Sequence, residues 1–211
     1  MTYSVKELFL TLQGEGANTG RRAVFCRFAG CNLWSGLEKD RATAQCTFCD
    51  TDFIGTDGPG GGKFKTAQDL ATAALQCWRS NKLGKPLIVC TGGEPLLQID
   101  AALIDALHAA GFEIAIETNG TIKVPQGIDW VCVSPKGQSD VIVTTGDELK
   151  LVYPQKNVDP KRFNDWDFTH FFIQPLDDEN QLHHVQEAIQ YCLDHPQWRL
   201  SLQTHKMIGI A

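Results

Sequence analysis

Seven short apolar runs, rich in β-branched and aromatic residues, are spaced along the chain at 24–28, 87–91, 114–117, 130–134, 148–152, 171–174 and 199–203. Runs of this length and composition read as strands. Three helical segments fit between them. One starts at Thr66, a capping residue with Asp69 three positions on, and extends to about residue 79. A second covers about 100–110 and stops at Gly111, and a third covers about 180–194 and stops before Pro196. The connections 119–129 and 136–147 are too short and too rich in Gly and Pro for full helices. The alternation predicts an α/β fold, a parallel sheet curled into an incomplete (βα)6-type barrel that has lost some helices. The length suits a single domain, 1–211, and the Gly-rich stretch 55–62 reads as a mobile loop.

The ends of the runs carry the chemistry. Cys31 follows the first, Thr91-Gly92-Gly93-Glu94-Pro95 the second, and Glu117-Thr118-Asn119-Gly120 the third. Ser134-Pro135-Lys136 follows the fourth, Gln174-Pro175 the sixth, and Gln203-Thr204-His205 the last. Turn chemistry accounts for Gly and Pro at such places, but not for Glu117, Lys136, Gln174 and His205 together. In a (βα) barrel the active site is built at the C-terminal strand ends.

Cys46 and Cys49 form a C-x2-C pair, and Cys31 stands fifteen positions upstream of Cys46. Such a turn brings two thiolates to one metal centre, and a third can join from a nearby loop. A structural zinc site wants four ligands, and no second C-x2-C pair follows. A redox thiol pair and inert thiols are the other readings. Three cysteines without a fourth suggest, by analogy with open catalytic metal sites, an iron–sulfur cube with one iron left free.

The formal net charge of -6, with charges scattered, argues against a protein built mainly to hold nucleic acid. No apolar stretch approaches the ~18 residues of a membrane span. The first residues lack the pattern of a signal peptide. A cytoplasmic location is expected, where eight cysteines are thiols or ligands rather than disulfides.

Taken together, these motifs resemble the radical S-adenosylmethionine enzymes. The usual C-x3-C-x2-C spacing of that superfamily is replaced here by C-x14-C-x2-C, a form found among the 7-carboxy-7-deazaguanine synthases. The likeness extends to residues 10–16, 25–34 and 49–53, to Glu148-Leu149-Lys150, and to the strand-end clusters. It implies a 4Fe–4S cluster on Cys31, Cys46 and Cys49, with the stretch 32–45 as a cluster-binding insertion. It also implies S-adenosylmethionine as cofactor, and conversion of 6-carboxy-5,6,7,8-tetrahydropterin to 7-carboxy-7-deazaguanine with loss of ammonia, on the way to queuosine and related 7-deazapurines. A homodimer and a reducing partner such as a flavodoxin or ferredoxin are implied too.

The same resemblance assigns residues. Phe48, Cys49, Asp50, Gly93, Glu117, Ser134, Pro135 and Lys136 would meet the S-adenosylmethionine. Leu12, Gln13, Gly14, Arg27, Thr91, Gln174, Pro175, Leu176, Asp177 and His205 would meet the pterin. Thr51 would give a hydroxyl to Mg2+, which needs few protein ligands. Strand alternation puts Arg27 on the face opposite Cys26 and Phe28. A guanidinium buried there needs a carboxylate partner, either the substrate's or a protein side chain's.

Overall fold

The computed structural model of the chain describes residues 2–79 and 84–210, and among them nine strands form one sheet. In chain order these are β1 (Tyr3–Leu12), β2 (Arg22–Phe28), β3 (Gly62–Phe64), β4 (Leu87–Gly92), β5 (Glu113–Thr118), β6 (Trp130–Val133), β7 (Thr145–Tyr153), β8 (Asp167–Pro175) and β9 (Trp198–Leu200). Helix α1 (Ala67–Trp78) precedes β4, α2 (Ala101–Ala109) follows it, α3 (Gln181–Asp194) precedes β9, and α4 (Thr204–Ile208) follows β9. The spatial order is β3-β1-β2-β4-β5-β6-β7-β8-β9. Every pair from β2 to β9 is parallel, whereas β1 is antiparallel to both β2 and β3. The sheet is therefore α/β and mostly parallel, and it stays open rather than closing into a barrel.

Two strands went unread, β1 and the three-residue β3, which begins at the end of the stretch expected to be a mobile loop. A register shift between Val5 and Glu7 breaks the alternation of β1, so the buried positions Tyr3, Val5 and Leu8 do not keep one parity. A bulge of this kind hides a strand from a period-two reading. The other correction is at the last run: β9 ends at Leu200, and the chain turns into α4 at Thr204. The Gly-rich stretch is tied to β1, because Leu8 N donates to Pro59 O at 2.8 Å and Gly58 N to Lys6 O at 2.9 Å.

Helix starts follow their caps. Thr66 Oγ1 accepts from Asp69 N, and Asp69 Oδ2 accepts from Thr66 N, each at 3.1 Å, closing a capping box. Asp100 Oδ1 accepts from Leu103 N at 3.0 Å and from the Tyr3 hydroxyl at 2.7 Å, which ties α2 to β1.

The two faces of the sheet differ sharply. On one face, Val24, Cys26 and Phe28, with Ile88, Cys90, Ile114 and Ile116, pack under α1 and α2. Val133, Leu149, Leu151 and Ile173 form a second cluster with Ala188 of α3 and Trp198. Each fully buried large aliphatic side chain there contributes about 1.5–3 kcal/mol. The alternate residues face inward. Near the N-terminal ends of the strands on the other face, Ala23, Leu87, Val89 and Ala115 make a small apolar patch. Arg27, Thr91 and Glu117, farther along the same three strands, and Lys150 and Gln174 of β7 and β8 line a cleft beyond it.

Candidate active site

The cleft has a volume of about 450 Å3 and opens at the C-terminal ends of the parallel strands. Cys31, Cys46 and Cys49 all line it, as do Phe48, Asp50 and Thr51 of the same loop. All eight cysteines are free thiols. Cys46 hydrogen-bonds Cys49, which brings the Cys49 thiol down to about 6 against the opposing effect of burial; Lys136 pulls the same way. The same bond, with burial, pushes Cys46 well up. Burial raises Cys31, whose sulfur accepts from Leu33 N at 3.4 Å. Among the described residues no three His, Cys, Asp or Glu side chains are placed around a single metal ion. Three thiols without a fourth instead suit a cube in which each sulfur binds its own iron and one iron stays free.

Glu94 holds the strand ends together. It is fully buried; its carboxylate accepts from Leu96 N at 3.0 Å, Thr118 Oγ1 at 2.8 Å and Asn119 N at 2.8 Å. Burial raises its pKa despite these bonds. Asn119 Nδ2 in turn donates to Asn32 Oδ1 at 2.9 Å, next to Cys31. Gly93 sits where a Cβ would fall 2.1 Å from Gly30 O and 2.8 Å from the Cβ of Cys31, so only glycine fits.

A charged network runs across the floor of the cleft. Lys150 Nζ lies 2.5 Å from Glu15 Oε2 and 3.1 Å from Glu117 Oε2. Burial opposes the charge on Glu15, but Lys150 and the hydrogen bond from Gln203 outweigh it and hold the carboxyl at about 2. Burial also opposes the Lys150 ammonium, and the two carboxylates overcome it and raise its pKa. Nearby Glu148 is raised by burial and accepts from Ala17 N at 3.0 Å.

The remaining sequence-derived residues divide in two. Arg27, Thr91, Gly93, Glu117, Ser134 and Lys136 line the cleft, and so do Gln174, Pro175, Leu176, Asp177 and His205. Leu12, Gln13, Gly14 and Pro135 do not line it. Leu12 is exposed on β1 and Pro135 is buried. Gln13 has both ends of its amide engaged, Nε2 to Glu117 at 2.8 Å and Oε1 from Glu15 N at 3.1 Å. Gly14 supports the site from behind: a Cβ there would meet His205 Nδ1 at 2.1 Å, and its carbonyl accepts from Thr204 N at 2.9 Å. Arg27 is half-buried and has a protein partner, Glu7, whose Oε1 accepts from Nε at 2.7 Å. Its two terminal nitrogens have no partner among the described residues.

Sequence reasoning gave no role to Glu15, Lys150 and Gln203, although each stands in a motif quoted above, and missed Lys206; all four line the cleft. Lys150 carried a signal, a charged residue between Leu149 and Leu151 of a buried strand. Lys206 carried none; its Nζ reaches Asp50 Oδ2 at 2.7 Å and Asp177 Oδ2 at 2.5 Å only because α4 folds back over the mouth.

No family model matches the chain. A 7-carboxy-7-deazaguanine synthase of Bordetella pertussis is 64% identical over 210 residues, and one of Caulobacter vibrioides is 61% identical, each alignment covering 100% of both chains. Among solved structures, the crystal structure of QueE from Escherichia coli matches with a TM-score of 0.70 and 27% identity, covering 97% of this chain and 95% of that one. With relatives of that identity over its full length, the chain belongs to the 7-carboxy-7-deazaguanine synthase family.

Proposed function

We propose that this chain is a radical S-adenosylmethionine enzyme that converts 6-carboxy-5,6,7,8-tetrahydropterin to 7-carboxy-7-deazaguanine with loss of ammonia, a step toward queuosine. One observation carries the reading: Cys31, Cys46 and Cys49 gather in a cleft whose other walls are polar strand ends, in a chain of this family. When bound, the 4Fe–4S cluster and S-adenosylmethionine supply the one-electron chemistry that a ring contraction needs.

The chain's own residues bind and orient. Gly93 packs directly on Gly30 and Cys31, where a side chain would not fit, and offers its backbone groups in the cleft to the cofactor's amino group. Ser134 and Lys136, 2.5 Å apart, offer a hydroxyl and a cation to its carboxylate, with Phe48 and Asp50 beside the adenosine. Glu117 is held in place by Gln13 and Lys150 before any ligand arrives. Arg27 keeps its terminal nitrogens for the carboxylate of the pterin. Gln174, 5% exposed, spends its Oε1 on Ser201 at 3.1 Å and keeps its amide N–H groups for the ring. Thr51 gives its hydroxyl to Mg2+ bound with the substrate. A homodimer, a flavodoxin or ferredoxin as reductant, and a cytoplasmic setting complete the reading. No helix among the described residues is long and apolar enough to cross a membrane.

The test is direct. Protein purified without oxygen is expected to be brown, to contain iron and sulfide, and to form 7-carboxy-7-deazaguanine from the carboxylated tetrahydropterin with reductant, S-adenosylmethionine and Mg2+. Cys49→Ala should lose both colour and turnover. Zinc without sulfide in the wild-type protein, or a Cys49→Ala variant that stays brown, overturns the assignment.

A further inference from the structure

The stretch 32–45 separates Cys31 from Cys46 and must fold so that both thiols reach the same cleft. It does so around one indole. Trp34 is 8% exposed, packs edge-on against Phe53 with centroids 5.6 Å apart, and donates from Nε1 to Leu37 O at 3.2 Å. Gln45 N donates to Leu33 O at 3.1 Å and closes the base of the insertion.

Arg41 comes from the short 3-10 segment Glu38–Thr43. Its guanidinium lies over the Trp34 ring, 4.1 Å from the centroid. Its Nη1 donates to the carbonyl oxygens of Thr47 at 3.1 Å and Cys49 at 3.0 Å, and its Nε donates to Glu38. One side chain thus touches the segment that follows Cys31 and the turn that carries Cys46 and Cys49. A planar guanidinium can stack on an indole and still donate along its edge, whereas an ammonium acts as a single point charge. Outside the insertion, Gly30 N donates to Phe53 O at 3.2 Å and ties the strand end before Cys31 to the stretch after Cys49, but it does not touch the Cys46–Cys49 turn itself.

We propose that Arg41 is a positioning residue that clips the insertion onto the Cys46–Cys49 turn and so pre-sets the three thiols for the cluster. The proposal rests on the cluster reading above. The long insertion then supplies from its own residues a connection that a three-residue spacing would supply by shortness alone. Partners behind the ligands of a metal site commonly change its affinity by about tenfold to hundredfold.

The experiment uses Arg41→Met, which keeps the stem over Trp34, and Arg41→Lys, which keeps the charge. Each is reconstituted with iron and sulfide beside the wild-type chain, and cluster loss to an iron chelator is followed by the decay of its absorbance. Unfolding of the cluster-free chains is measured in parallel. Arg41→Met is expected to lose its cluster at least about tenfold faster than wild type, with Arg41→Lys much closer to Met than to Arg. If Arg41→Met does not fold, Arg41→Lys decides alone. Wild-type rates in Arg41→Met, or in Arg41→Lys, overturn the clip. A wild-type chain that takes up no iron overturns the cluster reading instead, so the two failures are told apart.

Discussion

Lys150 Nζ and Glu15 Oε2 meet 2.5 Å apart across the floor of the cleft, although 135 positions separate them in the chain. The side chain of Lys150 is 4% exposed, and that of Glu117, its second partner, 19%. Removing one member of a buried ionic group leaves the others without compensation, which is costly. Lys150→Met is therefore expected to destabilise the cluster-free chain at pH 7 by about 3 kcal/mol. Urea unfolding followed by circular dichroism measures it, and a change within error of zero would sink the claim that this lysine neutralises two carboxylates.

Acid titration gives a second outcome. The folded Glu15 carboxyl titrates at about 2 against an ordinary value of 4.5. A depressed folded value contributes stability above the unfolded value and loses it as pH falls through the folded one. Glu15→Gln should thus show a shallower loss of stability than wild type between pH 4.5 and 2. Glu94 and Glu148, raised by burial, act with the opposite sign and are common to both proteins, so the difference isolates Glu15. Parallel curves for the two proteins would contradict the depressed value.

Gly93→Ala should disturb the cluster end of the cleft. The added Cβ would meet Gly30 O at 2.1 Å, a backbone atom that cannot swing aside, and the Cβ of Cys31 at 2.8 Å. Iron content after anaerobic reconstitution is expected to fall to less than about half of wild type, because a shifted Cys31 loosens the ligand set. Full iron content with wild-type chelator resistance would refute this.

Arg27→Gln should weaken substrate binding and leave the cluster alone. Hydrogen bonds to charged groups are worth about 1.5–3 kcal/mol, so KM is expected to rise roughly tenfold to hundredfold. Iron and sulfide content should match wild type. A colourless variant would mean that Arg27 supports the cluster instead.

Much of the fold was legible because its strands and caps are local features. Thr66 with Asp69, and Asp100, marked helix starts that their own hydrogen bonds make. Alternation on β2 separated Arg27, which lines the cleft, from Cys26 and Phe28, which are buried in the core. Strand β1 was not legible, since its register shift mixes the two parities. In the site, residues at strand ends could be read from position alone. The roles of Glu15 and Lys206 could not, because they reach the cleft through the loop after β1 and through α4, whose docking on each other no local pattern records.

The two outermost strands, β3 and β9, are each three residues long. A ladder of backbone groups that short gives a second copy almost nothing to extend, which guards the long parallel interior against runaway strand addition. A second copy adding to β3 or β9 themselves would gain a ladder of three residues at most.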